Sequence, residues 1–240
     1  MTLTTSKTVR ELALEIPNAT RVFEKLGLDY CCGGAKSLQD ACTSAGLSVE
    51  DVIANLEKAA AEPKPADDRV LQSGSLAELI AHIVNTHHVY VRQEIPRLNA
   101  LLDKVCGVHG ERHPELKHIR GIFRGVGQEL TMHMMKEEAV LFPYIERMEE
   151  QVIQKEPVLP APFGTVANPV RSMMEEHDSA GTALKAMREA SGGYHAPDDA
   201  CVSYQTLYSA LEAFEKDLHQ HIHLENNSLF PRALRMETGG

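Results

Sequence analysis

His133-Met-Met-Lys-Glu-Glu-Ala-Val-Leu-Phe-Pro143 and His221-Ile-His-Leu-Glu-Asn-Asn-Ser-Leu-Phe-Pro231 are two copies of one pattern, H-x-x-x-E-x-x-x-L-F-P. On a helix, residues four apart project from the same face, so each copy presents an imidazole and a carboxylate together. The Leu and Phe that follow extend this face with apolar side chains. Two copies 88 residues apart indicate an internal duplication. Each copy predicts one part of a metal site.

A single histidine precedes each copy at a matching distance. His88 lies 45 residues before His133, and His177 lies 44 residues before His221. Each half therefore predicts a helix with one inward His followed by a helix with an inward His–Glu pair, and together they predict an all-α four-helix bundle. Four imidazoles and two carboxylates suit transition metals, and the carboxylates can bridge two ions, as in di-iron carboxylate bundles. Zinc is the weaker fit.

Burial of the two glutamates supports this prediction, because a carboxylate on an apolar stripe is costly without a counter-charge. The predicted metal ligands are His88, His133, Glu137, His177, His221 and Glu225.

Periodicity does not choose between His87 and His88, because the apolar stripe of Ile80, Val84 and Val91 passes between them.

Four polar residues close to the predicted ligands are expected to point away from the inner face. They are Glu138, Glu176, His219 and His223. Helical geometry places each well off the direction of its neighbouring ligand, so we expect Glu138 and Glu176 to be solvated and His219 and His223 to face outward.

Composition limits the possible partners. The net charge of −10 and the absence of a basic run argue against binding to nucleic acid or to an anionic membrane surface. No stretch approaches the roughly 18 apolar residues of a membrane span, and the N-terminus lacks a signal-peptide pattern. We therefore expect a cytoplasmic protein without nucleic-acid or membrane partners.

The five cysteines fall into two groups. Cys42, Cys106 and Cys201 are isolated, and we expect them to be small buried hydrophobic residues. Cys31-Cys32 precedes two glycines, and three interpretations remain open for this pair. The thiols can serve packing, form a redox-active vicinal disulfide, or hold and hand over iron as thiolates.

The sequence predicts a small helical N-terminal domain at 1–60, a linker at 61–74 and the bundle at 75–240. Within the bundle, Ser75 is a predicted N-cap with Glu78 as its capping-box partner, and the first helix runs to about residue 105. The second helix begins near Pro114. A Pro-rich connection at about 151–168 precedes a third helix from about 169 and a fourth from 197–199 to about 234. Gly181 is compatible with close helix packing or with room for a diatomic gas.

Asp29-Tyr-Cys-Cys-Gly-Gly34, Glu176-His-Asp-Ser-Ala-Gly181 and the two H-x-x-x-E stretches resemble the RIC (repair of iron centres) family of the YtfE/ScdA type. These proteins join a short Cys-Cys domain to a hemerythrin-like bundle, and the resemblance covers essentially the whole chain. It implies a non-haem di-iron centre, two Fe per chain, oxo-bridged and bridged by carboxylates. It also places the first ligand at His88, eight residues before Pro96, with His87 where the family often has an aromatic residue.

The resemblance further implies repair of iron–sulfur clusters damaged by nitrosative or oxidative stress. We expect an iron donor more than a conventional enzyme, with iron–sulfur cluster proteins and the diatomic ligands NO and O2 as partners. Two alternatives remain: an oxidoreductase that reduces nitric oxide at the di-iron site, and a hemerythrin-like sensor of oxygen or NO. The sequence is compatible with a monomer or a homodimer.

Overall fold

The computed structural model describes residues 5–62 and 74–238, so residues 63–73 of the predicted linker lie outside the described residues. In these two ranges the regular secondary structure is α- and π-helical, apart from isolated β-bridges. The predicted all-α class is therefore confirmed.

Four short helices form the N-terminal part of the chain. They are α1 (Val9–Glu15), α2 (Ala19–Leu26), α3 (Leu38–Ala45) and α4 (Val49–Ala60). A capping box between Thr8 and Glu11 starts α1. The side chain of Ser37 caps α3, and that of Ser48 caps α4. The four helices share an apolar core that includes Leu12, Phe23 and Leu56, which are fully buried.

The later helices are long and continuous, with π-helical turns inserted. They comprise α5 (Leu76–Ile83), π1 (Val84–His88), α6 (Val89–His109), α7 (Glu115–Lys136), π2 (Glu137–Leu141), α8 (Phe142–Ile153), α9 (Ala167–Ala190), α10 (Val202–Leu224), π3 (Glu225–Leu229) and α11 (Phe230–Thr238). The Ser75–Glu78 capping box forms as expected, since each side chain binds the other residue's backbone amide. The last long helix begins later than predicted, because residues 197–200 form a turn closed by Ala200 N–H and the Pro197 carbonyl.

The chain divides into two compact units. Unit 1 comprises Met1–His82, Ile145–Ala167 and His219–Gly240, and unit 2 comprises Ile83–Tyr144 and Asn168–Leu218. In unit 1, the carboxylate of Glu149 accepts hydrogen bonds from the amides of Leu76 and Ala77 at 2.6 and 2.9 Å, which satisfies the first turn of α5.

The core of unit 2 is built from apolar side chains of α6, α7, α9 and α10. Its fully buried members include Leu98, Leu102, Ile119, Phe123, Leu184, Leu207 and Phe214. The rings of Phe123 and Phe214 meet edge to face with centroids 5.3 Å apart. None of the described helices combines the length and the apolar character needed to cross a bilayer.

The isolated cysteines do not share one environment. Cys42 and Cys106 are buried as predicted, whereas Cys201 is exposed. The prediction is wrong for Cys201 because this residue directly precedes α10, outside the packed helices.

The loop between α2 and α3 contains two adjacent glycines, and backbone contact requires the one at position 34. A Cβ at Gly34 would lie 2.7 Å from the backbone oxygen of Tyr30, and one at Gly33 would lie 2.9 Å from Oδ2 of Asp29. Contacts this short between a carbon and an oxygen are repulsive. The Gly-Gly pair therefore lets the chain pass close to the segment that carries Cys31 and Cys32.

We expect Gly34→Ala to lower the free energy of unfolding by about 1–3 kcal/mol, because the clash is with backbone that cannot rotate away. Urea unfolding followed by circular dichroism measures this. Gly107→Ala is the matched control: a Cβ there meets nothing within 4 Å, and Ala is favoured over Gly inside a helix. Equal stability of Gly34→Ala and the wild type would show that the loop relaxes freely.

Candidate metal centre

Unit 2 brings together four of the predicted ligands from three long helical stretches. His88 ends π1, His133 lies in α7, Glu137 begins π2 and His177 lies in α9. All four are buried, and Glu137 and His88 are 0% exposed. Ligand atoms of His133, Glu137 and His177 all lie within 4.8 Å of one another.

The two carboxylate oxygens of Glu137 lie near different histidines. Its Oε2 is 3.4 Å from Nε2 of His88, and its Oε1 is 3.3 Å from Nε2 of His133. Nε2 of His177 lies 3.0 Å from Nε2 of His133. The carboxylate therefore stands between one imidazole on one side and two imidazoles on the other.

Hydrogen bonds at the other ring nitrogens define the tautomers of two of these histidines. Nδ1 of His88 lies 2.6 Å from Oε1 of Glu138, and Nδ1 of His133 lies 2.8 Å from Oε2 of Glu176. An ionised carboxylate only accepts hydrogen bonds, so each Nδ1 carries the proton. In a neutral imidazole the Nε2 lone pair is then free to bind a metal, as is usual for metal-ligating histidines.

These tautomers make the centre of the cluster electron-rich. The lone pair of His88 Nε2 faces one carboxylate oxygen of Glu137, and that of His133 Nε2 faces the other. Acceptors that face one another in a buried site repel unless a cation lies between them. Imidazole nitrogens with carboxylate oxygens are a donor set that suits Fe, Cu, Ni and Zn. The residues therefore fit a transition-metal ion.

Unit 1 contains the second His–Glu pair. His221 Nε2 lies 3.0 Å from Oε1 of Glu225, with both side chains essentially inaccessible to solvent. His221 lies in α10, and Glu225 begins π3 in the same way that Glu137 begins π2.

A π-turn therefore starts at the glutamate of each repeated stretch, and π-turns are frequent at functional sites. A proline follows two residues after the end of each of these turns. Pro143 and Pro231 lack the amide that would bind the carbonyl of the residue four positions earlier, Ala139 or Asn227, and both of those residues lie within the wider turn.

His88 and His87 have different surroundings. His88 belongs with Glu137 to a group of side chains able to hold a metal, and His87 belongs to no such group among the described residues. Nδ1 of His87 instead lies 3.0 Å from Oδ1 of Asp217. The geometry thus favours His88, the choice that periodicity left open.

Glu138 and Glu176 are not simply solvated, as the sequence suggested. Each is about one-third exposed and accepts a hydrogen bond from a predicted ligand histidine. Each also pairs with a cation, Arg92 for Glu138 and Lys136 for Glu176. Burial acts to raise the pKa of both carboxyls, but the hydrogen bonds outweigh it and leave each pKa below its ordinary value. Helical periodicity does not reveal this role, because each partner histidine lies on another helix.

His219 and His223 have partners in unit 1. Both face the N-terminal part of unit 1, and His223 is fully buried. His219 Nδ1 pairs with Oε1 of Glu24 at 2.8 Å, and the His223 ring packs against Tyr30 with centroids 5.3 Å apart. The outward side of α10 is therefore covered by the domain that carries the cysteine pair.

The Cys31–Cys32 loop contacts the residues that directly follow Glu225. Asn227 donates a hydrogen bond to the carbonyl of Tyr30 at 2.9 Å, and Asn226 reaches the carbonyl of Cys31 at 3.5 Å. Both amides lie within π3. These contacts hold the cysteine loop against the second H-x-x-x-E stretch.

Cys31 and Cys32 are free thiols whose sulfurs lie 3.8 Å apart. With Asp29 they form a third group of side chains whose ligand atoms lie within 4.8 Å of one another. The hydrogen bond to Cys32, burial and the nearby Asp29 raise the pKa of the Cys31 thiol well above its usual range. The Cys31 thiol is therefore protonated at neutral pH and is not a preformed thiolate nucleophile.

Comparison with known proteins agrees with this geometry. Residues 79–233 match the hemerythrin HHE cation binding domain, and residues 5–60 match the ScdA_N domain, which is described as a domain of unknown function. The chain is 38% identical over 227 residues to the iron–sulfur cluster repair protein YtfE of Pectobacterium carotovorum, covering 95% of this chain and 96% of that protein. It is 35% identical over 224 residues to a probable iron–sulfur cluster repair protein of Haemophilus influenzae, covering 93% and 95%.

The chain thus has a hemerythrin-like domain joined to an ScdA_N domain. It belongs to the RIC family of YtfE-type proteins, as its motifs predicted.

We expect Glu138→Gln and Glu176→Gln each to weaken metal binding by about 10–100-fold, because an amide holds the imidazole tautomer less well than a carboxylate does. Titration of the metal against a competing chelator measures the loss. Glu175→Gln is the matched control, since Glu175 is an exposed neighbour of Glu176. Equal affinities in all three variants would rule out the positioning role.

Proposed function

We propose that the protein holds two iron ions between His88, His133, Glu137, His177, His221 and Glu225. One iron would be bound by His133 and His177, and the other by His88 and His221, with Glu137 and Glu225 bridging. The observation that carries this proposal is the placement of Glu137. One of its carboxylate oxygens lies 3.4 Å from Nε2 of His88, and the other lies 3.3 Å from Nε2 of His133. The matching His221–Glu225 pair supplies the same two donors from the second sequence copy.

This ligand set leaves coordination positions open. With two imidazoles and two shared carboxylates, an octahedral iron would keep about two positions for water, an oxo bridge or an incoming ligand. When bound, the iron pair supplies redox and Lewis-acid chemistry at these positions. The protein's own residues fix the imidazoles through Glu138 and Glu176 and exclude bulk water from Glu137, which is fully buried.

We infer that the protein restores iron–sulfur clusters damaged by nitrosative or oxidative stress by donating iron as cargo. The proteins named above as relatives are described as cluster-repair proteins, and they align along nearly the whole chain. The proposed path for the cargo passes the Cys31–Cys32 loop. Its support is that Asn226 and Asn227, immediately after Glu225, bind the backbone of this loop.

The proposed setting is the cytoplasm, with iron–sulfur proteins as recipients and a monomer or homodimer as the working form. All five cysteines are free thiols, which is typical of a reducing compartment.

The bridging role predicts the outcome of replacing both glutamates. Glu137→Gln with Glu225→Gln preserves side-chain volume but removes both charges, so we expect the coupled pair to be lost. Iron content and the Mössbauer spectrum of anaerobically purified protein measure this. Glu146→Gln, at an exposed position shortly after Glu137 in the chain, is the control. Two coupled irons per chain in the double variant would refute the bridging assignment.

Iron donation predicts stoichiometric transfer. Incubation of the iron-loaded protein with an apo-cluster protein and sulfide should restore the cluster while the donor loses its iron. Cys31→Ser with Cys32→Ser should slow this transfer without lowering the initial iron content. Many turnovers of nitrous oxide from nitric oxide with the iron retained would instead indicate the oxidoreductase alternative, and a reversible oxygen adduct with neither activity would indicate a sensor.

A further inference from the structure

A contact between a cysteine and a histidine lies in unit 2, outside the motifs that the sequence predicts to be functional. Nε2 of His109, at the end of α6, lies 3.2 Å from the sulfur of Cys201, which precedes α10. His109 is only 4% exposed, whereas Cys201 is exposed. Nδ1 of His109 is buried and has no hydrogen-bond partner among the described residues. Within the described part of the chain, the Cys201 thiol is therefore the group that lies at hydrogen-bond distance from this buried imidazole.

The surrounding side chains hold the His109 ring in place. The ring packs against Tyr204 with centroids 5.4 Å apart and lies 6.3 Å from the ring of His113. His113 has other partners. Its Nδ1 lies 3.0 Å from Oε1 of Glu115, and its Nε2 lies 3.1 Å from Oδ1 of Asp199. Only His109 is thus directed at the sulfur.

We propose that Cys201 and His109 form a reactive thiol site that is modified by low-molecular-weight disulfides. An imidazole at hydrogen-bond distance can take the thiol proton, and the thiolate is the form that attacks a disulfide. Cys201 is an exposed residue that a small molecule can approach, while the buried His109 ring supplies the base. This thiol–imidazole pair is the arrangement that activates cysteine nucleophiles.

The reaction is a balanced exchange. The Cys201 sulfur attacks one sulfur of the small disulfide, so that a new sulfur–sulfur bond forms as the original one breaks. The departing thiolate takes the proton held by His109 and leaves as a thiol. Cys201 is oxidised to a mixed disulfide, and the other half of the reagent is reduced.

This site is separate from the predicted metal ligands. His109 lies 21 residues after His88 along continuous helix, which corresponds to roughly 30 Å at 1.5 Å per residue. Modification of Cys201 can therefore be measured without altering the metal ligands.

The test uses the full-length protein and oxidised glutathione at neutral pH, with the mixed disulfide at each cysteine quantified by peptide mass spectrometry. We expect Cys201 to react about tenfold faster in the wild type than in His109→Phe, which keeps the aromatic packing but removes both ring nitrogens. The matched control is His113→Phe, which changes the neighbouring ring that does not contact the sulfur. It should leave the rate within about twofold.

Two results would overturn the proposal. One is an equal rate at Cys201 in the wild type and His109→Phe, and the other is an equal loss in both His variants. A synthetic peptide spanning residues 197–207 gives a reference that does not depend on variant folding. Folded wild-type protein should react faster at Cys201 than this peptide does, and an equal or slower rate would also reject the assignment.

Discussion

The complete burial of two carboxyl groups, Glu137 and Glu225, is the constraint on which the rest of the structure depends. Both carboxylates are 0% exposed, and each lies beside an imidazole of its own stretch. A buried carboxylate is tolerated when a counter-charge accompanies it. When His88 and His133 are neutral, these tautomers turn Nε2 lone pairs towards Glu137, so the imidazoles add negative potential beside its carboxyl group. A bound cation offsets the cost of burying the carboxyl groups and the repulsion between the facing acceptor atoms. The helices place these donor atoms together.

The two sequence copies have diverged directly after the glutamate. In the first copy the next residue is Glu138, whose carboxylate holds His88 in its metal-binding tautomer. In the second copy the equivalent residue is Asn226, which reaches the backbone of the cysteine loop together with Asn227. One copy therefore uses this position to orient a ligand, and the other uses it to bind the N-terminal domain. The two copies share one helical geometry, and the difference between a carboxylate in one and an amide in the other separates their roles.

Spacing along the sequence was sufficient to predict the helical class and to place the candidate His and Glu side chains on buried faces, because periodicity encodes which face of a helix is apolar. It could not predict the π-turns, since a His and a Glu four residues apart give the same pattern whether the next turn is α or π. It also assigned Glu138 to solvent, because a helical wheel describes one helix and contains no information on the neighbouring helix that brings His88. The contact of Cys201 with His109 was missed for the same reason: 92 residues separate them.

The protonated state of Cys31 bears on how the cysteine loop can act in the proposed transfer. Its raised pKa arises from the hydrogen bond to Cys32, from burial and from Asp29, and all three favour a neutral thiol in the docked loop. A divalent ion that binds there must displace the proton, so that metal binding and proton release are coupled. The Asp29 charge that disfavours a thiolate in the empty loop becomes favourable once a cation is present, because the same carboxylate then serves as a ligand. The Cys31 thiol would thus stay protonated in the empty loop and would lose its proton only when iron binds.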